Sequence, residues 1–244
     1  GGSDSELDNV GGLTLHAGSS LGNETQGPVV TAGGGPAALG SPNHIDFQED
    51  SQRNYIEVAD DTSLDGLGTS GSFVSWVKLD DNYENQALLY SPVGGLRLVI
   101  DTSNRIFMYT NTGGGPLFRS DSLNDVPGDS DWHHIAVTWD FNTLTVNFYV
   151  DGVLQGLSIN STASWSGAGA ADWGDLFIGD YSTGGNALDG QMADLALFTT
   201  ALNGSEMSFI FANGVDDFIA ANQPATVPEP ASIALLSLAS VALL

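Results

Sequence analysis

Asp151-Gly152 stands between two apolar, β-rich runs, residues 146–150 and 153–157, and that dipeptide admits few backbones. A two-residue hairpin turn whose twist matches its strands needs φ > 0 at both central positions, which Asp and Gly tolerate. Similar turn chemistry recurs along residues 43–214. Residues 73–79 alternate apolar and polar over part of their length. Residues 96–100 and 105–109 flank Asp101-Thr102-Ser103-Asn104, and residues 135–139 and 144–150 flank Asp140-Phe141-Asn142-Thr143. Many short strands joined by such turns predict an antiparallel sandwich or barrel. One helix is expected: Asn203-Gly204-Ser205-Glu206 opens it, Met207, Phe209, Ile210 and Phe211 give its apolar face, and Asn213-Gly214 closes it.

The chain divides into four parts. Residues 1–42 are Gly/Ser-rich and read as an irregular arm, able to donate one strand from its apolar islands at 13–15 and 28–30. Residues 43–214 hold nearly all the periodic signal and suit one domain. Residues 215–227 read as a linker and residues 228–244 as an apolar tail. With 30 acidic and 5 basic residues the net charge is −25, and Lys78 is the sole lysine. Such a chain repels phosphate backbones, which excludes nucleic acid as a partner. It also repels itself, a cost that salt or divalent cations relieve. There is no cysteine, so disulfides and thiolate metal sites are excluded.

Residues Tyr55-Ile56-Glu57-Val58, then 71–77, Trp132-His133-His134 with 135–140, 148–153, 176–179 and 188–198, resemble in order the strands of a laminin-G-like, concanavalin-A-like jelly roll. The resemblance covers about residues 43–214 and implies an all-β, antiparallel jelly-roll β-sandwich with one short helix after the last strands. It implies glycan binding, protein binding or a spacer role, and fold alone does not choose among them. Members often hold a structural Ca²⁺ at the rim. The resemblance makes Asp189 and Asp194 the metal candidates, since they occupy its best-matched stretch; solvated surface acids are the plainer reading.

Catalysis finds no residues. Some relatives hydrolyse glucans with a Glu-x-Asp-x-x-Glu strand, whose carboxylates share a face. None of the seven glutamates here sits in that pattern. No Gly-x-Ser-x-Gly elbow occurs, and Gly113-Gly114-Gly115-Pro116 reads as a strand connection. His133 and His134 are adjacent, and neighbours on a strand point to opposite faces, so they read as structural. Trp76, Trp132 and Trp139 read as core. Trp165 lies in a run of small residues, 161–171, that packs little around it. It is a candidate for stacking on a sugar or on another subunit, and Trp173 could share that surface.

Pro228-Glu229-Pro230 directly precedes residues 231–244, of which eleven are apolar and three are serine. This resembles the PEP-CTERM sorting signal of exported bacterial proteins, without that signal's terminal arginines. It implies export to the cell surface or matrix, with an exosortase-type processing enzyme as a partner. No secretory signal peptide is visible, as expected where export has removed one. A helix over 231–244 would be about 21 Å long, short of the ~30 Å hydrocarbon core, and it lacks a polar stripe.

The expectation is therefore an exported, non-catalytic structural protein of the cell surface or matrix. Its partners are other copies of itself, and the tail is the expected means of assembly into a filament or layer. The alternative is a lectin-like module that binds surface polysaccharide; the remote alternative is a glycoside hydrolase. The charge yields a prediction. Melting temperature should rise with NaCl, because screening shortens the Debye length below ~8 Å. A further rise in CaCl₂ at matched ionic strength would show specific ligation, and identical melting in chelator, NaCl and CaCl₂ would remove both ideas.

Overall fold

At the Asp151-Gly152 turn φ is 49° at Asp151 and 74° at Gly152, so the hairpin forms as its sequence requires. The computed structural model describes residues 15–19, 28–47, 54–60, 62–80, 85–93, 96–110, 118–120, 130–160, 174–180 and 186–222. Its strands are β1 (Leu15–Ser19), β2 (Val29–Thr31), β3 (His44–Phe47), β4 (Asn54–Val58), β5 (Ser70–Leu79), β6 (Gln86–Tyr90), β7 (Leu96–Ile100) and β8 (Ile106–Thr110). They continue as β9 (Phe118–Ser120), β10 (His133–Asp140), β11 (Thr145–Val150), β12 (Val153–Leu154), β13 (Leu157–Asn160), β14 (Leu176–Ile178) and β15 (Gly190–Phe198). Two helices follow, α1 (Gly204–Asn213) and α2 (Val215–Asn222).

The strands form two sheets. The first has the order β1-β4-β14-β6-β7-β8-β9-β13, the second β12-β11-β10-β5-β15-β3-β2. The strand pairings are antiparallel, so the expected antiparallel jelly-roll sandwich is the fold. Inner faces meet in one core that includes Phe73, Val77, Ile135, Val137 and Phe148 from the second sheet and Ile56, Leu89, Leu98 and Met108 from the first. The second sheet is covered on its outer side too, where Val74, Ala136 and Tyr149 pack against Leu202, Met207, Ile210, Val215 and Phe218. This explains the broken alternation of β5, in which residues 71 to 77 are all buried. A strand covered on both faces has no solvent side to mark with polar residues.

Two readings are corrected. The N-terminal arm donates two strands rather than one: β1 pairs with β4 in the first sheet and β2 with β3 in the second. Residues 215–222, read as linker, are helical, so two helices rather than one end the domain. Their cap comes from β15, as described below. Helix α1 does match its sequence signals. Asn203 Oδ1 accepts from Ser205 N at 2.9 Å and Glu206 N at 3.1 Å, and Glu206 Oε2 accepts from Asn203 N at 2.7 Å, a closed capping box.

Trp139 is fully buried and its Nε1 donates to Leu67 O at 2.9 Å. Gly71 makes room for this ring: a Cβ there would lie 2.4 Å from Trp139 Cζ2 and 2.8 Å from Leu67 Cδ2. Gly71→Ala should destabilise by roughly 1–3 kcal/mol, as overpacking does. Denaturant unfolding measures it, and an unchanged midpoint would show that the Trp139 pocket yields freely.

Candidate functional site

The two sheets differ in what lies outside them. Among the described residues both helices pack on the second sheet, and none packs on the outer face of the first. That face carries a cross-strand row built by register: Glu57 opposite Phe177, Phe177 opposite Tyr90, Tyr90 opposite Arg97. Directly opposite residues on neighbouring strands share a face and touch. Tyr55 stands edge-on to Phe177 at 5.3 Å between ring centroids, and Tyr90 lies 6.2 Å from Phe177. The Arg97 guanidinium carbon is 5.2 Å from the centre of the Tyr90 ring, within cation–π range. A second row runs Ala87, Val99, Phe107, with Arg119 next in register.

Tyr90 and Phe177 are nearly buried, while Tyr55, Glu57, Arg97 and Phe107 keep part of their surface exposed. The arrangement is thus a floor of packed rings with two partly open aromatic side chains, one carboxylate and one guanidinium above it. Ring faces stack on apolar faces of ligands, and the charged groups hydrogen-bond polar substituents. Reading the sequence for tryptophans and histidines missed this face. The signal was present in β4, β7 and β8, whose partly exposed positions hold Tyr55, Arg97 and Phe107 rather than plain polar residues.

The sequence-read candidates lie elsewhere. Trp165, Trp173, Pro228, Glu229 and Pro230 fall outside the described residues. Asp189 sits before β15, where its backbone N donates to Gln86 Oε1 at 2.6 Å and its carbonyl accepts from Asp80 N at 3.0 Å. Asp194 sits at the bulge of β15 with φ 51°, five residues on, or about 16 Å along an extended strand. Its carboxylate accepts from Val215 N at 3.0 and 3.2 Å, so it caps α2 across the fold. Burial raises its pKa, the Val215 hydrogen bond opposes the shift, and Asp216 adds to it. The two aspartates are not brought together, and among the described residues no group of three or more His, Asp or Glu could hold a metal ion.

His133 and His134 have different surroundings, as adjacent strand residues should. His133 Nδ1 lies 2.9 Å from Asp151 Oδ2, and His134 is buried under α1. Trp76 and Trp139 are buried as expected. Trp132 is not core: it is partly exposed, donates from Nε1 to Gly34 O at 3.1 Å and stands edge-on to His44 at 5.8 Å. It sits one residue before β10, beyond the sheet, and fastens the Gly-rich arm.

The sequence profile of the Concanavalin A-like lectin/glucanases superfamily matches residues 50–208. The chain belongs to this superfamily. Comparison with curated proteins gives no match. Among solved structures, the binding domain of botulinum neurotoxin DC, in complex with rat synaptotagmin II, aligns with TM-score 0.59 and 10% identity over 82% of this chain and 46% of that one. Botulinum neurotoxin type C, described with two ganglioside molecules, aligns with TM-score 0.58 and 12% identity over 82% and 46%. Domain 4 of AbnA, an extracellular arabinanase from Geobacillus stearothermophilus, in complex with arabinotriose, aligns with TM-score 0.57 and 16% identity over 82% and 88%. This chain spans less than half of either neurotoxin chain, and at such identities the likeness is one of fold.

Asp194 supplies the prediction for this region. Asp194→Ala should lower stability by about 1 kcal/mol through loss of a helix-terminal acceptor, and by the same amount in CaCl₂ as in chelator. A loss seen only in CaCl₂ would show Asp194 to be a metal ligand.

Proposed function

We propose that this protein is a non-catalytic glycan-binding module, with the outer face of the first sheet as its binding surface. One observation carries the reading: the row Glu57–Phe177–Tyr90–Arg97, with Tyr55 and Phe107 beside it, joins aromatic rings to one anion and one cation on a sheet face that no described helix covers. A pyranose offers an apolar face to a ring and equatorial hydroxyls to Glu57 and Arg97. Glycoside hydrolysis ordinarily needs two facing carboxylates, and Glu57 is the one carboxylate in this row. The arabinotriose and ganglioside named with similar structures support carbohydrate as the ligand class; the synaptotagmin complex makes a protein ligand the competing outcome.

Export belongs to the same proposal. It rests on the sorting-signal resemblance at residues 228–244 and on the superfamily, whose laminin-G-like and lectin-like domains are typically extracellular. Among the described residues no helix is long and apolar enough to cross a membrane. Processing by an exosortase-type enzyme and assembly with other copies through the tail rest on the same resemblance.

The test is a glycan array followed by titration of the best polysaccharide. Tyr55→Ala and Phe107→Ala should each weaken binding roughly tenfold, about 1.4 kcal/mol, with thermal unfolding run alongside to confirm an intact fold. Absence of binding by the unaltered protein across plant, bacterial and animal glycans would sink the proposal. Binding that survives both substitutions would move the site off this face.

A further inference from the structure

His134 and Trp76 face each other across β10 and β5, on the side of the second sheet that the helices cover. His134 is 1% exposed and Trp76 5%. The His134 ring is 5.5 Å from Trp76 and 5.7 Å from Phe211 of α1, and Trp76 stacks on Phe211 at 5.5 Å. Neither His134 ring nitrogen, nor Trp76 Nε1, has a hydrogen-bond partner. Other buried side chains of this sheet do: Ser72 Oγ donates to Thr200 O at 2.7 Å and accepts from Leu202 N at 2.9 Å, and Thr138 Oγ1 accepts from Asn147 Nδ2 at 3.2 Å. His134 is therefore a neutral imidazole held in an aromatic nest, and one wall of that nest is a helix.

We infer that α1 and α2 form an acid-releasable cover on the second sheet, with His134 as the trigger. A charged His134 ring would lie beneath Phe211 with nothing to accept from it, the costliest way to bury a cation. The nearby charges give it little relief. From β10, the His134 backbone N already donates to Asp151 Oδ1, and Asp151 Oδ2 is held by the His133 ring. From β5, Lys78 stands two residues beyond Trp76 on the same side and offers no acceptor. From β11, Tyr149 lies toward the start of α1, beside Gly204; from α1, Glu206 is turned back onto Asn203 N.

The nest opens at its weakest wall. β10 is locked to β5 and β11 by continuous ladders, and β5 pairs with β15 on both sides of the bulge after Ala193. By contrast, α1 is one short helix joined to α2 through Gly214. Lifting it exposes Trp76 and Phe211.

Burial pushes the His134 pKa down to about 4, with Asp151 opposing. The fold holds the neutral ring, so this stabilisation is complete above pH 6.5, is lost as pH falls from 6.5 to about 4, and changes no further below that. Asp194, at the start of α2, works the other way: its raised pKa means that protonation relieves a cost. Acid thus reaches the cover through His134.

The chain has no cysteine, so a single Ala212→Cys on the exposed side of α1 carries a ¹⁹F tag in the full-length protein. Between pH 7.5 and 4.5 the released population should rise on the order of 100-fold. In His134→Phe, and in His134→Gln as a second non-titrating variant, it should stay flat. In the unaltered chain, amide exchange corrected for intrinsic rates should rise in α1 and α2 over that range while β10 stays protected. A flat profile in the unaltered chain, a variant profile matching it, or exchange rising equally in α1 and β10 would each overturn the inference.

Discussion

Strand β5 is hydrogen-bonded on both sides and packed on both faces, so every polar atom it or its neighbours bring must find a partner inside the protein. That demand organises the second sheet. Ser75 Oγ donates to the carbonyls of Trp76 and Ala193. Ser72 Oγ ties the sheet to Thr200 and Leu202, the residues that lead into α1. The start of the helical cover is therefore fixed by a serine in the middle of the sheet. The indole of Trp139 finds Leu67 O in the turn before β5, and Gly71 gives up a side chain to admit it. Within the second sheet, among the described residues, the buried side-chain nitrogens without a partner gather in one place, the nest of Trp76, His134 and Phe211. An unsatisfied group with no titration is a fixed cost; an imidazole makes the cost a function of pH.

Legibility followed the range of the interactions. The Asp151-Gly152 turn, the Asn203–Glu206 capping box and the apolar runs are set by residues within a few positions of one another, and each is legible in the sequence. Helix α2 was missed because its acceptor is Asp194, 21 residues away on β15 and brought over by the bulge after Ala193. No local cap follows Gly214, so the stretch reads as connection despite Asp216 and Asp217, which suit the first turn of a helix. Asp194 entered as a metal candidate through the family resemblance, from the stretch that matches it best. An aspartate on a rim has many possible uses, and only the fold shows Val215 N in front of it. Trp132 was read as core from its neighbours in β10, yet it falls one residue outside the strand and binds Gly34 instead.

The candidate site was illegible for a different reason. Its members come from β4, β14, β6 and β7, which the chain visits in the order β4, β6, β7, β14. Phe177 stands between Glu57 and Tyr90 in space while lying 120 residues after the first and 87 after the second in sequence. Alternation alone shows that Tyr55 and Glu57 share one side of β4. It cannot show that Arg97 completes a row with them, because that depends on the registers of three pairings.

The two outer faces divide the work of the sandwich. On the first sheet, aromatic residues stand at solvent-side positions and no described helix lies over them, an arrangement suited to a ligand. On the second, aromatic residues are roofed by α1 and α2, and the roof is fastened by Ser72, the Asn203 capping box and the Asp194 carboxylate, all of which are hydrogen bonds with complete partners. His134, on β10 beneath that roof, is the proposed point where a single proton disfavours the packing. The core of both sheets separates the two faces, and few apolar contacts in it depend on any titrating group. The proposed trigger and the outer-face row therefore lie on opposite sides of the sandwich, with the core between them.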